Sequence, residues 1–193
     1  MKLVATIEIV VFYLTAFGVR SLLQWRRTGQ TGFAGVRDGA GAIERVGAGL
    51  FVVVLLLAPA APWLGDPLWA RGHLLGAVIA AAGVALTLVA QVQMGASWRI
   101  GVDASERTEL VTSGVFAFVR NPIFSAMLLA TVGLALAVPT PLALALPPLL
   151  LVALQIQVRL VEEPHLIAAH GAPYRSWAAR TGRFVPSIGR LRT

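Results

Sequence analysis

Two adjacent carboxylates, Glu162 and Glu163, follow directly on an apolar run of helical length, and Pro164 comes next. Carboxylates at the C-terminal end of a helix meet its negative pole and repel each other, so they need a cation, from an arginine or from a ligand. Arg159 precedes them by three and four residues, which is the weaker orientation for a helical ion pair. A solvated acidic turn is the alternative. The triplet Arg120-Asn121-Pro122 poses the opposite problem. Pro122 suits a first helical position with Asn121 as its cap. Arg120 then sits beside the positive end of a helix, which is unfavourable unless an anion is shared between them, and the alternative is snorkelling to lipid phosphate. A third cluster runs from Gln91 to Asp103. Gln91, Gln93 and Ser97 either line a ligand or belong, with Trp98 and Arg99, to an interfacial anchor. Thr112-Ser113-Gly114 forms a turn that lets a ligand approach the backbone. Together these clusters offer carboxylates for an ammonium or for proton abstraction and an arginine for an anion. Phe116, Phe118, Phe124, Tyr174, Trp177 and Phe184 suit a cation or a flat ring.

The elements that must position these residues are membrane helices. The chain has 193 residues, of which 57% are hydrophobic and 13% charged, against about 25% charged in soluble domains. Five apolar segments approach the ~20 residues needed to cross a hydrocarbon core: Leu3–Val19, Val46–Leu64, Leu74–Val92, Ile123–Val138 and Leu142–Val158. The pattern predicts an all-α integral membrane protein of about five transmembrane helices. It forms a single domain over residues 1–193, with 1–90 a helical scaffold and 91–186 the region that carries the chemistry. Pro139-Thr140-Pro141 predicts a tight turn in a helical hairpin. Pro147-Pro148 should kink the fifth helix and Pro164 should interrupt or kink it further on. No strand is expected.

Of 16 basic residues, only Lys2 and Arg71 fall on one side of this five-span arrangement. The other fourteen, including Arg20, Arg37, Arg107, Arg175, Arg190 and Arg192, fall on the opposite side. The positive-inside rule then puts the N-terminus outside and the tail in the cytoplasm. The excess charge of +7 reads as topology and lipid-headgroup contact, with no case for nucleic acid. The chain has no cysteine, which excludes disulfides and thiol nucleophiles. His73, His165 and His170 are too scattered for a metal motif. Glu8 interrupts the first apolar run, which lacks a cleavage site before Arg20 and so reads as a retained helix. An Ala/Arg/Val/Leu-rich composition hints at a bacterial inner membrane.

S-adenosylmethionine carries an amine, a carboxylate, a purine and a sulfonium, and is one ligand among several that such a site would take. The motifs narrow the choice. Gly114-Val115-Phe116 followed by Arg120-Asn121-Pro122-Ile123-Phe124 resembles the Gly-Pro-Tyr … Arg-His-Pro-x-Tyr-x-Gly signature of the isoprenylcysteine carboxyl methyltransferase family. Glu162-Glu163-x-x-Leu166, then Gly171, Tyr174, Trp177 and Arg183-Phe184-x-Pro186, is similar to that family's tail. The resemblance spans about Gln91 to Pro186. It implies S-adenosylmethionine as cofactor, in a cytosolic pocket closed by the C-terminal helical segment, and a lipophilic or lipid substrate entering between helices. By the same resemblance Gln93, Gly114, Phe116, Val119, Asn121, Pro122, Phe124, Glu162, Glu163 and Tyr174 bind the cofactor. Arg120, Glu162, Glu163 and Arg183 are the catalytic candidates. The chain departs from the signature at Asn121, where the family has a titratable histidine, and at Val115, Phe116, Phe124 and Ala126. The acceptor stays open. A carboxylate needs an arginine, Arg183 or Arg120, to hold it, whereas an amine or thiol needs a base, Glu162 or Glu163. The competing reading is a non-enzymatic scaffold or small transporter whose glutamates and arginines form structural ion pairs.

Overall fold

The computed structural model describes residues 1–35, 39–98, 100–101 and 109–191; Arg37, Arg99, Asp103, Arg107 and Arg192 lie outside them. The helices are α1 (Lys2–Tyr13), α2 (Arg20–Thr28), α3 (Ala42–Leu57), α4 (His73–Met94), α5 (Pro122–Ala137), α6 (Pro141–Gln157) and α7 (Glu163–Arg180). A π-helical stretch, Leu14–Val19, joins α1 to α2, and Gly29 ends the run with φ +76° while Arg26 and Arg27 face the negative pole of the last turn. A second π-helical stretch, Val158–Glu162, joins α6 to α7. Three of the resulting helices, Lys2–Thr28, His73–Ser97 and Pro141–Arg180, are long and apolar enough to cross a membrane. α3 and α5 have 16 residues each.

The boundaries differ instructively from the sequence reading. The second apolar segment leaves helical geometry after Leu57 and reaches Leu64 through turns. The fifth runs straight through Pro147 and Pro148. Pro164 does not end it either: the helix absorbs the missing N–H in the π-helical turn just before it and continues to Arg180. The break expected at Pro164 falls instead at Gly171, with φ 57° and ψ −126°. Two short strands, β1 (Phe33–Gly35) and β2 (Ile100–Gly101), pair in parallel where none was expected.

α4 and α5 form the tightest pair in the bundle and run antiparallel. Small residues let their backbones touch: a Cβ added at Gly76 would stand 2.2 Å from the Ala137 nitrogen, one at Gly83 2.5 Å from the Ala130 nitrogen, and one at Gly133 2.2 Å from the Ala80 nitrogen. In a bilayer, where hydrocarbon offers side chains no preference for each other, such close packing holds helices together. α5 and α6 form the expected hairpin. Thr140 caps α6 by accepting from the Ala143 N–H at 3.1 Å and donates to the Ala61 carbonyl at 2.7 Å. At that same end His73 bonds the Ala137 carbonyl at 2.7 Å. The main core is aliphatic and aromatic, from Ala5, Ile9 and Phe12 on α1 to Leu146, Leu150 and Leu154 on α6. A separate, smaller core of Phe116, Tyr174, Trp177 and Ala178 lies at the opposite end of the bundle.

Candidate active site

At 1.5 Å per residue the 40-residue helix Pro141–Arg180 is about 60 Å long, twice the hydrocarbon thickness. Glu162 and everything after it therefore project beyond the membrane core. The end of α4, the turn before α5 and the residues after α7 meet this projecting part.

Gln93, near the C-terminus of α4, holds the turn. Its Oε1 accepts from the Val115 N–H at 2.8 Å and lies only 2.2 Å from where a Cβ on Gly114 would be. Gly114 has φ +61°, so glycine is required here by both conformation and space. Residues Gly114–Ala117 then form a 3-10 turn that buries Phe116. Gln91 finds its partner elsewhere, donating to the Ala16 carbonyl at 2.9 Å.

Arg120 solves its placement problem within the chain. It is buried, and its Nη2 donates to Glu163 Oε1 at 2.6 Å and to the Gly189 carbonyl at 3.0 Å. Its Nη1 donates to the Ala178 carbonyl at 2.9 Å and also to that of Thr181. Arg183 grips the same carboxylate with two bonds, Nε to Oε1 at 2.8 Å and Nη2 to Oε2 at 2.9 Å. Burial alone would raise the Glu163 carboxyl, but the hydrogen bonds and charges of the two arginines outweigh it and hold Glu163 below the usual range. The shared anion at the start of α5 is thus Glu163 itself. Arg159 takes no part, since it donates to Gln155 at 2.9 Å.

The backbone completes the lock. The Arg120 N–H donates to the Gly182 carbonyl at 2.8 Å and the Asn121 N–H to that of Arg183 at 3.1 Å. Asn121 does not cap α5 with its side chain; its Nδ2 donates to the Arg183 carbonyl at 3.1 Å instead. Ser125 donates to the Phe184 carbonyl at 2.6 Å, and the Leu191 N–H to that of Ala178 at 3.0 Å. Pro122 opens α5, Val119 bridges to Gly182, and Phe124 packs against the main core.

Glu162 is the carboxylate left over. No cation pairs with it among the described residues. Burial pushes its carboxyl up to about 7, the neighbouring Glu163 charge adds to the rise, and a hydrogen bond with Gln157 opposes it. Gln157 and Glu162 are five residues apart, the spacing a π-helical turn brings onto one face. The sequence reading missed Gln157 for that reason, because α-helical spacing would separate the two.

Tyr174 and Trp177 meet edge to face, with ring centroids 5.7 Å apart, and pack with Phe116. Burial, with the Glu163 charge second, pushes the Tyr174 hydroxyl up to about 12. Trp177 Nε1 is buried and has no acceptor among the described residues. Such an atom needs a partner. An aromatic wall, an indole donor in want of an acceptor and a carboxylate without a cation suit a ligand that combines a flat ring, a cation and acceptor atoms. The donor set therefore fits S-adenosylmethionine. No three His, Cys, Asp or Glu residues group to hold a metal among the described residues.

The family model for phospholipid methyltransferases matches residues 72–172, which include α4, the Gly114 turn, the α5–α6 hairpin and both glutamates. The chain belongs to the phospholipid methyltransferase family. This membrane methyltransferase also resembles a solved structure, the eukaryotic intramembrane Ras methyltransferase isoprenylcysteine carboxyl methyltransferase. The TM-score is 0.63 at 19% identity, and the alignment covers 96% of this chain and 66% of that one. The chain thus spans just under two thirds of that protein's length and shares its fold, as the motif resemblance implies. No sequence among the curated proteins matches it.

Proposed function

We propose that this methyltransferase moves a methyl group from S-adenosylmethionine to a lipophilic acceptor dissolved in the membrane, on the cytoplasmic side of a bacterial inner membrane. One observation carries the reading: Glu163 is consumed by Arg120 and Arg183, while Glu162, beside it, has no cation. The three-residue network is then a clasp that docks residues 181–191 against the start of α5 and shapes the site, and Arg120 and Arg183 act as positioning residues. Glu162 is the residue that meets the ligand or the acceptor's proton.

When bound, the cofactor supplies an electrophilic methyl group. The protein's part is positioning and charge, because methyl transfer needs an in-line approach. Phe116, Tyr174 and Trp177 form an apolar wall for a ring, and Gln93 fixes the Gly114 turn. With both clasp arginines engaged, an amine or thiol acceptor fits better than a carboxylate. Glu162, held near neutrality, is suited to take a proton from such a group. Five spans, an outward N-terminus and a cytoplasmic tail complete the reading and agree with the distribution of arginines.

The test is binding and turnover of the detergent-solubilised chain. S-adenosylmethionine at about a hundred times its dissociation constant should stabilise it by ~2.7 kcal/mol. Radiolabelled methyl groups should enter a lipid extract, and Glu162→Gln should lower that incorporation at least tenfold. A non-enzymatic scaffold would show no thermal shift and no label.

A further inference from the structure

A cavity of about 520 Å³, counting its open mouth, lies among α1, α3, α4, α5 and α6. Apolar side chains line nearly all of it, and three polar ones face it: Glu8, Tyr13 and Thr131. Two of these are spent. The Tyr13 hydroxyl donates to the Leu55 carbonyl, and Thr131 donates to the Leu128 carbonyl of its own helix at 2.9 Å. Glu8 differs. Its Oε2 is buried and accepts from no group among the described residues.

The position of this carboxyl separates it from the active site. Glu8 stands twelve residues before Arg20, about 18 Å along the helix, and Arg20 donates to the Gly95 carbonyl just past the end of α4. The Gly114 turn and the clasp lie at that far end. Glu8 therefore plays no part in positioning Glu162 or the aromatic wall. An ionisable side chain within a membrane segment is expensive and commonly marks a ligand path. Neither of the simplest occupants suits it. A trapped water needs two to four polar partners, and Glu8 alone has a free one. A hard cation needs about six oxygens.

We propose that this cavity binds a lipid-soluble molecule ending in a hydroxyl or amine, with Glu8 accepting its hydrogen bond and the apolar walls taking its chain. Ala5 on α1, Ala80 on α4 and Ala130 on α5 are lining residues whose small size makes the room. The outward face of α1, with Leu3, Ile7 and Leu14 exposed, turns toward lipid, the phase from which such a molecule comes. The site stands whether or not the methyl-transfer reading does.

The experiment measures saturable binding of tritiated 1-dodecanol to the full chain in detergent, in competition with dodecylamine and dodecyl methyl ether. The alcohol or the amine should bind at least tenfold more tightly than the ether, which has the same chain and no donor. Glu8→Leu should abolish that preference. Glu8→Gln should keep the alcohol and weaken the amine, if the carboxyl meets the amine as an ion pair. Val84→Phe, which fills the cavity from α4, should remove saturable binding of all three. The proposal is overturned if the ether competes as well as the alcohol, if Glu8→Leu retains the preference, or if the wild type shows no saturable binding. Should Glu8→Leu fail to fold, the ether comparison and Val84→Phe still decide.

Discussion

Replacing Glu163 with glutamine should open the C-terminal clasp, and the size of the effect follows from its contacts. Glu163 accepts three bonds from two guanidinium groups, at 2.6, 2.8 and 2.9 Å, with side-chain exposures of 1% for Arg120, 8% for Glu163 and 12% for Arg183. Breaking a buried ion pair by removing one partner costs about 3–5 kcal/mol, because the surviving charge stays desolvated. Here two arginines survive, though Arg183, nearer solvent, loses less than Arg120. Glutamine keeps one acceptor oxygen and adds an NH2 that faces a guanidinium, so the loss should fall in that range. Unfolding by denaturant in detergent would measure it, and trypsin would localise it, since Arg183 and Arg190 become cleavable when the clasp opens. The pH dependence has a defined sign. A carboxyl held below its usual value stabilises the fold at neutral pH and loses that contribution as pH falls through the folded value, so the wild-type clasp should open only under acid conditions, below about 4. A Glu163→Gln protein that stays trypsin-resistant, with stability within about 1 kcal/mol of wild type, would refute the account of the clasp.

Three further outcomes are expected. Arg183→Lys should lose one of its two bonds to Glu163, at a cost of about 1–2 kcal/mol, whereas Arg190→Gln, which gives up only an exposed contact with Ser187, should change stability by less than about 0.5 kcal/mol; parallel denaturation curves would check the difference. Glu162 carries a carboxyl raised to about 7, so turnover limited by its basic form should rise with pH through about 7, and Glu162→Gln should flatten that limb of the profile; as a raised carboxyl, it also destabilises the fold as pH climbs from its ordinary value toward 7. Gly114→Ala should cost about 1–3 kcal/mol, because φ is +61° and the new methyl collides with Gln93 Oε1, and the loss of the Gln93–Val115 bond should appear as weakened cofactor binding in titration calorimetry.

Much of this was legible from residue order alone. Apolar runs gave helix positions to within a few residues because length and hydropathy act locally. Thr140 caps the hairpin where a Pro-Thr-Pro turn demands a cap. The pairing of Glu162-Glu163 with Arg120 and Arg183 as members of one site was also readable, through motif order. What escaped was the division of labour within it. Nothing in the sequence distinguishes Glu162 from Glu163; the choice depends on which one a π-helical turn swings toward the arginines. That turn is set by the packing of α6 and α7, so α-helical counting could not place Gln157 beside Glu162. Asn121 likewise read as a cap, but the nearby carbonyl of Arg183 is a tertiary partner and wins. The β1–β2 pairing joins residues over sixty positions apart, with too few residues in either strand to show a period.

The clasp has a consequence for assembly. Residues 181–191 are synthesised after every membrane helix, and domains form from the N-terminus as the chain emerges. The backbone bonds that Gly182 and Arg183 give to Arg120 and Asn121 therefore cannot exist while α5 and α6 are entering the bilayer. During that interval Arg120 is a mobile cation at the membrane surface, free to hold α5 at the headgroups, and it is withdrawn into the protein only once Glu163 and the strand after α7 arrive. The same arginine thus serves as a temporary anchor for insertion and then as the pin of the finished enzyme, so catalytic competence is acquired in one late step, after the bundle is already in place.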